Sequence, residues 1–381
     1  MNMMNEVYIT RLSKFLPNEG VSNDHMEDFL GMIDNEASKG KGLVLRNNGI
    51  KVRYYALDRQ GRPTHSNTEI TVEAIRGLFG NGFNLEDVDL LSCGTTSPDQ
   101  LLPSHTSMVH GLLNCPPVEI LSSSGACNAG IQAMKFAYLS VKCGSSDNAV
   151  CTGSERLSPF MLSKNFENET AKLKELKKNP IIAFEKDFLR WMLSDGAGAA
   201  LLQNKPAENR ISLRIEWMEN KSFANELETC MYSGGEKTDN GDMTSWLDYE
   251  PNDWLERALF SFKQDVKLLS SNIVPKGTMF FKEVLDKHGY DLANVNFFLP
   301  HFSSEYFRPR IHEEMRKFGL EIPSEKWFTN LTRVGNVGSA SVFLMLEELF
   351  NSGKLEKGMD VLLMVPESAR FSYTYALLKV V

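Results

Sequence analysis

Glu119-Ile120-Leu121-Ser122-Ser123-Ser124-Gly125-Ala126-Cys127-Asn128-Ala129-Gly130 passes from an apolar run through small residues into a helix-forming stretch over 131–142. The pattern is a strand, a tight turn and a helix, the shape of a nucleophile elbow, with a cysteine at the turn. A thiol at the first turn of a helix meets the positive end of the macrodipole and unpaired N–H groups, which favour the thiolate. Gly125, Ala126, Ala129 and Gly130 let the backbone turn sharply and leave room beside the sulfur. Taken alone, a buried cysteine is core filler about as often as it is a catalyst.

The same grammar extends in both directions. Upstream, 7–9, 52–56 and 88–94 read as strands, and 23–37, 71–79 and 106–113 as helices. Downstream, 148–152 and 196–202 read as strands. The second half repeats the rhythm with strands at 211–216 and 295–299 and helices at 254–269, 277–287 and 310–318. It ends with a helix at 340–351 and strands at 361–365 and 374–381. Strands alternating with helices at this spacing predict an α/β protein whose parallel sheet is covered on both faces. No linker rich in Pro, Gly or Ser divides the chain, so two fused, similar halves, 1–205 and 206–381, are expected in place of hinged domains. The Lys- and Glu-rich stretch 164–186 reads as a solvated cap helix. The stretch 224–253, with few aliphatics, reads as a surface loop or lid.

Forty-one basic against forty-nine acidic residues give a net charge of −8, which argues against a general nucleic-acid binder. The six cysteines, Cys93, Cys115, Cys127, Cys143, Cys151 and Cys230, contain no close-spaced pair, which disfavours zinc and disulfide frameworks. No stretch approaches the roughly 18 apolar residues of a membrane span. The start lacks the apolar core of a secretory signal, so a cytoplasmic, reducing location is the default.

Two further segments stand out. His301 follows Phe297-Phe298-Leu299-Pro300 and so sits where a buried strand ends, the edge at which open α/β sheets build sites. Asn336 lies in Val334-Gly335-Asn336-Val337-Gly338-Ser339-Ala340-Ser341, a glycine-flanked turn leading into a helix. An ordinary helix-entry turn would use Asn in the same way, and a lone strand-end His is more often structural than catalytic. Together, a Cys with a distant His and Asn fits two arrangements, the papain-like protease and the decarboxylating condensing enzyme. The protease reading fails because Cys127 lacks that family's aromatic neighbour and glycine-cysteine signature.

The segment around Cys127, Gly153-Ser154-Glu155, Ser194-Asp195-Gly196-Ala197-Gly198-Ala199, Pro300-His301 and Gly335-Asn336-Val337-Gly338-Ser339-Ala340-Ser341 occur in the order of the β-ketoacyl-acyl-carrier-protein synthase III family. Thr95-Thr96-Ser97-Pro98-Asp99 with Leu102-Pro103-Ser104 resembles that family's early substrate-side loop. The resemblance implies a thiolase-like fold with layered halves (αβαβα), each a five-stranded layer. It implies that Cys127 accepts an acyl group from a thioester. His301 and Asn336 would hold the thioester oxygen of a malonyl-type or β-ketoacyl extender as charge develops. The backbone N–H groups of Cys127 and Ala369 would form a second oxyanion hole. No metal, flavin or nicotinamide cofactor is implied. Acyl carrier protein would be the partner, docked near Arg310 in the basic group Arg308, Arg310, Arg316 and Lys317. Leu102 would reach across a homodimer interface to the floor of the partner's acyl pocket.

The departures concern the substrate. Coenzyme A-using members commonly place Trp and Arg where this chain has Leu43 and Asn47, so the resemblance favours a carrier-bound acyl chain. Where the family continues after the His with Gln-Ala-Asn, this chain has Phe302-Ser303-Ser304, so the work of the missing Asn falls to Ser304, to water or to nothing. The family's glycine run before the last strand is Pro366-Glu367-Ser368-Ala369-Arg370-Phe371 here, and a positive φ at Ala369 or Arg370 would be strained. These features suggest a secondary-metabolic condensing enzyme, such as one that joins an acyl and a β-ketoacyl thioester toward dialkylresorcinols. The alternative is an acyltransferase in which an alcohol or amine attacks acyl-Cys127 without decarboxylation. A silent partner subunit of another synthase is disfavoured by the intact Cys, His and Asn.

Overall fold

The computed structural model describes residues 4–38, 40–80, 82–166 and 189–381. Its principal strands are β1 (Tyr8–Phe15), β2 (Leu90–Thr95), β3 (Glu119–Ser124), β4 (Asn148–Glu155), β5 (Gly196–Gln203), β6 (Leu213–Ser222), β7 (Val295–Pro300), β8 (Asp360–Glu367) and β9 (Ser372–Val380). They lie in the order β7-β8-β9-β6-β1-β5-β4-β2-β3. Outward from the β1/β6 seam, β1-β5-β4-β2 pairs antiparallel, antiparallel, parallel, and β6-β9-β8-β7 repeats that pattern. The halves are thus duplicated, and at the seam β1 pairs with β6 through Tyr8–Arg214 and Ile9–Leu213. β3 completes five strands in the first half. In the second half a single parallel bridge, Phe298 to Trp327, stands where a fifth strand was expected.

β5 and β8 read as apolar runs because both faces are buried, whereas the edge strand β3 is largely exposed. On β8, Val361, Leu363 and Val365 face one core while Leu362 and Met364 face another. On β5, Ala200 and Leu202 face the central core, and Ala197, Ala199 and Leu201 the outer one. The principal helices are α1 (Asn67–Arg76), α2 (His105–Leu113), α3 (Ala129–Cys143), α4 (Val266–His288), α5 (Arg308–Lys317) and α6 (Ser341–Phe350). Three apolar cores separate five layers: α1 and α2, the first half-sheet, α3 and α6, the second half-sheet, then α4 and α5. This is the thiolase-like αβαβα arrangement.

The central layer is packed through glycine. A Cβ at Gly130 or Gly153 would fall 2.4 or 2.2 Å from the Ser339 carbonyl oxygen, so only glycine lets the start of α3 and the turn before α6 meet there. That contact brings the Cys127 and Asn336 turns together.

Several elements differ from the sequence reading. α1 begins at Asn67 and not at 71, because Ser66 and Glu69 form a capping box: Glu69 N–H donates to Ser66 Oγ at 3.1 Å and Ser66 N–H to Glu69 at 2.7 Å. The expected 23–37 helix stops after Met26–Leu30, where Gly31 takes φ +73. Of 52–56 only Val52–Arg53 pairs, with Val21–Ser22. The helices expected at 254–269 and 277–287 are a short Pro251–Glu256 helix and the continuous α4. Pro275 is tolerated inside α4 because it stands on the exposed face, where its missing N–H leaves the Ser271 carbonyl to water. The 224–253 lid carries a small hairpin, Gly235–Lys237 with Met243–Ser245, and Trp246 packs edge-on against Trp254. Of the expected 164–186 cap, 167–186 lie outside the described residues.

Candidate active site

Cys127 occupies the turn between β3 and α3. Gly125 takes φ +152, and Ala129 N–H closes the turn on the Ala126 carbonyl at 2.9 Å. The thiol lies two residues before the first helical residue, with Asn128 as the N-cap. It is not the activated thiolate that the helix start suggested. Burial pushes it well above the ordinary thiol range, and the carboxyl groups of Glu367 and Glu155 push it further.

His301 follows β7, and its own N–H donates to the Met364 carbonyl of β8 at 2.8 Å, which fixes where the ring enters the site. Burial lowers the imidazole to about 4, so it is neutral and carries one N–H and one lone pair. Asn336 is held by three backbone contacts. Its N–H donates to the Met192 carbonyl at 3.0 Å and its carbonyl accepts from Ser194 N–H at 2.9 Å. Its Oδ1 accepts from Gly338 N–H at 3.1 Å, which leaves Nδ2 as the outward group, a pure donor. Gly335 supports the turn at φ +77, where a Cβ would strike Ser194 Cβ at 2.8 Å.

Two cavities meet at Cys127, Ser303 and Ser368. One, of about 630 Å³, takes in His301 and runs beneath α4 and α5. The other, of about 470 Å³, takes in Asn336 with Thr96, Gln264 and Ser368. The three residues singled out in the sequence, from three separate turns, therefore border one connected space; that of Asn336 follows the short helix Leu331–Val334 and not the strand end expected of it. A thiol flanked by two neutral N–H donors can carry an acyl group while a second thioester oxygen is held beside it.

The profile of the family described as 3-oxoacyl-[acyl-carrier-protein (ACP)] synthase III C terminal matches residues 285–379, the segment that holds His301 and Asn336. The chain is 26% identical over 356 residues to the β-ketoacyl-[acyl-carrier-protein] synthase III of Ehrlichia ruminantium, covering 93% of each. It is 25% identical over 366 residues to that of Clostridium perfringens, covering 96% of each. The chain thus resembles the synthase III enzymes over nearly its whole length. In fold it is similar to AbyA1, a tetronic acid condensing enzyme (TM-score 0.76, 20% identity, 98% and 99% of the two chains). It is likewise similar to the synthase III of Aquifex aeolicus (TM-score 0.69, 20%, 98% and 99%). OleA of Xanthomonas campestris, solved with lauric acid and lauroyl-CoA, gives a TM-score of 0.72 at 19% identity over 99% of both chains.

Two buried acids that the sequence reading left without a role brace this synthase III-like site. Glu155 accepts from Thr96 Oγ1 at 2.6 Å, Ser97 Oγ at 2.8 Å and Ser339 N–H at 3.0 Å, tying the end of β4 to the Asn336 turn. Glu367, at the end of β8, accepts from Ala369 N–H at 2.6 Å and from Ser372 Oγ at 3.0 Å. The expected second oxyanion hole is corrected by that contact, since the Ala369 N–H is spent on Glu367 within its own turn. The strain is also displaced: φ is +59 at the fully buried Phe371, not at Ala369 or Arg370. The visible clue to Glu367 was an acid standing where the resemblance implied a glycine run.

The remaining candidates lie around the rim. Leu102 is 85% exposed and borders neither cavity. Ser304 does not replace the missing Asn, because its hydroxyl donates to the Asn47 carbonyl at 3.2 Å and accepts from Tyr306 N–H. Leu43 and Asn47 are exposed on the Lys41–Asn48 helix. Of the basic group, Arg308 is paired with Glu305 and Lys317 with Glu314, whereas Arg310 is exposed and stacks on Tyr306 at 4.0 Å. Among the described residues, no group of three or more His, Cys, Asp or Glu side chains is placed to hold a metal ion, and no helix is long and apolar enough to cross a membrane.

Proposed function

We propose that the protein forms carbon–carbon bonds by Claisen condensation between an acyl group on Cys127 and a malonyl- or β-ketoacyl carrier protein. The convergence of Cys127, His301 and Asn336 on the two joined cavities carries this reading. In the first half-reaction the Cys127 sulfur attacks an acyl thioester, and the departing carrier thiolate takes up the proton that Cys127 gives up. In the second, the extender's carbonyl oxygen sits between the His301 N–H and Asn336 Nδ2. Loss of CO₂, or transfer of an α-proton from a β-ketoacyl thioester to water, leaves an enolate held by those donors, each worth about 3 kcal/mol in comparable sites. Its carbon attacks the acyl carbonyl, and Cys127 leaves as thiolate and takes a proton back from water. The ring of His301, neutral at working pH, suits a donor that must not compete as a cation.

The Leu43, Asn47 and 366–371 departures support a carrier-bound primer and a secondary-metabolic product, with dialkylresorcinol-type chemistry as the case that uses a β-ketoacyl partner. Arg310 with Tyr306 is the proposed docking point for the acidic, cytoplasmic carrier protein. The edge strand β3, with Ile120 exposed, and the exposed Leu101 and Leu102 support a homodimer in which Leu102 serves the partner. A non-decarboxylating acyltransferase needs no second oxyanion donor, so the pinned Asn336 amide favours condensation over it. Incubation with a panel of acyl carrier proteins, followed by the adduct mass on Cys127 and CO₂ release from malonyl carrier protein, tests the reading. No adduct on Cys127 with any thioester would remove it, and transfer to an alcohol without CO₂ release or ketone formation would install the alternative.

A further inference from the structure

The two cavities at Cys127 differ in chemistry. The larger is walled by α4 through Leu269, Ile273 and Phe281, and by α5 through Ile311 and Met315, with Met364 of β8 on the sheet side. Away from Cys127 and His301, the polar groups along α4 and β9 are already paired. Tyr373 OH donates to the Ile273 carbonyl at 3.0 Å, Tyr375 OH to the Gly277 carbonyl at 3.0 Å, and Thr278 Oγ1 to the Val274 carbonyl at 3.0 Å. These bonds turn both phenols into hydrocarbon walls, so an alkyl chain entering there leaves no donor or acceptor unsatisfied. The smaller cavity also has apolar walls, Leu157, Leu189, Met192 and Phe262 among them, but adds Gln264 and Asn336, amide groups suited to those of a phosphopantetheine arm.

We infer that the acyl chain on Cys127 lies beneath α4 and α5, in the C-terminal half of its own subunit, and that the preferred primer is a medium- or long-chain aliphatic acyl group. The inference rests on the proposed acylation of Cys127 and adds the place and class of the chain. Two observations favour this cavity over the site expected at Leu102. It reaches Cys127 directly within one chain, whereas Leu102 borders neither cavity. Its apolar lining runs from Cys127 to Leu269, Ile273 and Phe281 on α4 and to Ile311 and Met315 on α5, far more wall than an acetyl group would touch. Chain length is then set by how far the space beneath α4 extends, with Ile273 and Ile311 facing it.

The test combines two measurements. Wild-type protein is offered acetyl, hexanoyl and decanoyl thioesters in competition, and adduct masses on Cys127 are read for it, for Ile273→Trp and for Ile311→Phe. The decanoyl-to-acetyl ratio is expected to favour decanoyl in the wild type and to fall at least about tenfold in each variant, since even one excluded methylene changes discrimination by that order. In parallel, wild-type protein is loaded with a decanoyl analogue bearing a terminal diazirine, irradiated and mapped by peptide mass. Crosslinks are expected in α4 or α5. An acetyl preference in the wild type, an unchanged ratio in both variants, or crosslinks confined to the Leu102 segment would overturn the inference while leaving acylation of Cys127 standing. Failure of every thioester to load would instead remove the reading on which it rests. The crosslinking arm uses wild-type protein, so a variant that does not fold leaves the question decidable.

Discussion

Acid should destabilise this protein through two buried histidines, and the size of the effect follows from their settings. Burial holds His301 at about 4, and it holds His105, whose Nε2 lies 3.2 Å from the hydroxyls of Thr71 and Ser154, at about 4 as well. An unfolded histidine titrates near 6.5. The unfolded chain therefore takes up protons first, so stability falls as the pH drops through about 6.5 and levels off below the folded value near 4. Between about pH 7 and about pH 4.5 each ring should cost about 2.5 kcal/mol, or about 5 kcal/mol for the pair. That is comparable with the whole stability of many domains.

The buried acids act in the opposite sense. Burial raises Glu155, Asp195 and Glu367, so each favours the folded state as it becomes protonated. A single acid-denaturation curve would mix the two contributions, and the informative quantity is the difference between wild type and variant. Urea unfolding of wild type, His301→Gln and His105→Gln across that pH range should show each variant losing about 2.5 kcal/mol less on acidification than the wild type. If His301→Gln follows the same acid slope as the wild type, the ring charges near its ordinary value in the folded state. The neutral-donor role would fall with it. The same setting predicts that the acid limb of kcat/KM assigned to His301 lies near 4 and not near 6.5.

Three further outcomes are expected. Asn336→Ala should lower the condensation rate roughly a hundred- to a thousandfold while acyl-Cys127 still forms, as read by CO₂ release against adduct mass; equal loss of both steps would show that Asn336 acts before the second half-reaction. Glu367→Gln removes the larger of the two carboxylate contributions that hold the Cys127 thiol up, so the thiol should titrate lower and iodoacetamide should alkylate it up to about tenfold faster at mildly alkaline pH. An unchanged alkylation profile would refute that. Phe371→Gly relieves a positive φ worth about 1–3 kcal/mol but forfeits a fully buried ring worth about 3–5 kcal/mol. The variant should therefore be less stable by about 2 kcal/mol in denaturant melts, and a gain in stability would show that the backbone strain outweighs the packing.

The parts of the fold that were legible in the sequence are those set by local pattern. β5 and β8 are apolar on both faces because a core lies on each side, and that is what an uninterrupted apolar run encodes. The turns at Cys127, His301 and Asn336 were visible because small residues, Pro and Gly punctuate them. What depended on three dimensions was missed. The sequence reading placed separate helices at 254–269 and 277–287, yet α4 runs through Pro275 because that turn of the helix faces water. Ser304 seemed available to the site, but its hydroxyl is committed to the Asn47 carbonyl, 257 residues away in sequence. The apolar cavity could not be read at all, since its walls come from α4, α5, β8 and β9, whose residues were each indistinguishable from ordinary core.

The state of the Cys127 thiol shows most plainly how magnitude decides. A helix start favours an anion by about 0.3–1 kcal/mol when exposed and about 2 kcal/mol in good partly buried geometry. Against this stand the desolvation of a buried thiolate and two buried carboxyl groups, which together carry the thiol upward and not downward. The helix effect is real but smaller. Glu367 is part of this balance because it is also structural: its carboxylate organises the turn before β9 through Ala369 and Ser372, and Ser372 in turn accepts from the Asn128 amide at 3.0 Å, beside the nucleophile. The acid that closes the C-terminal hairpin thus also holds the N-cap of α3 and restrains the sulfur. Removing its charge while keeping its shape, as Glu367→Gln does, separates those tasks: a faster-alkylating but stably folded variant would assign restraint to the charge, and a slower or unfolded one would assign its importance to the turn.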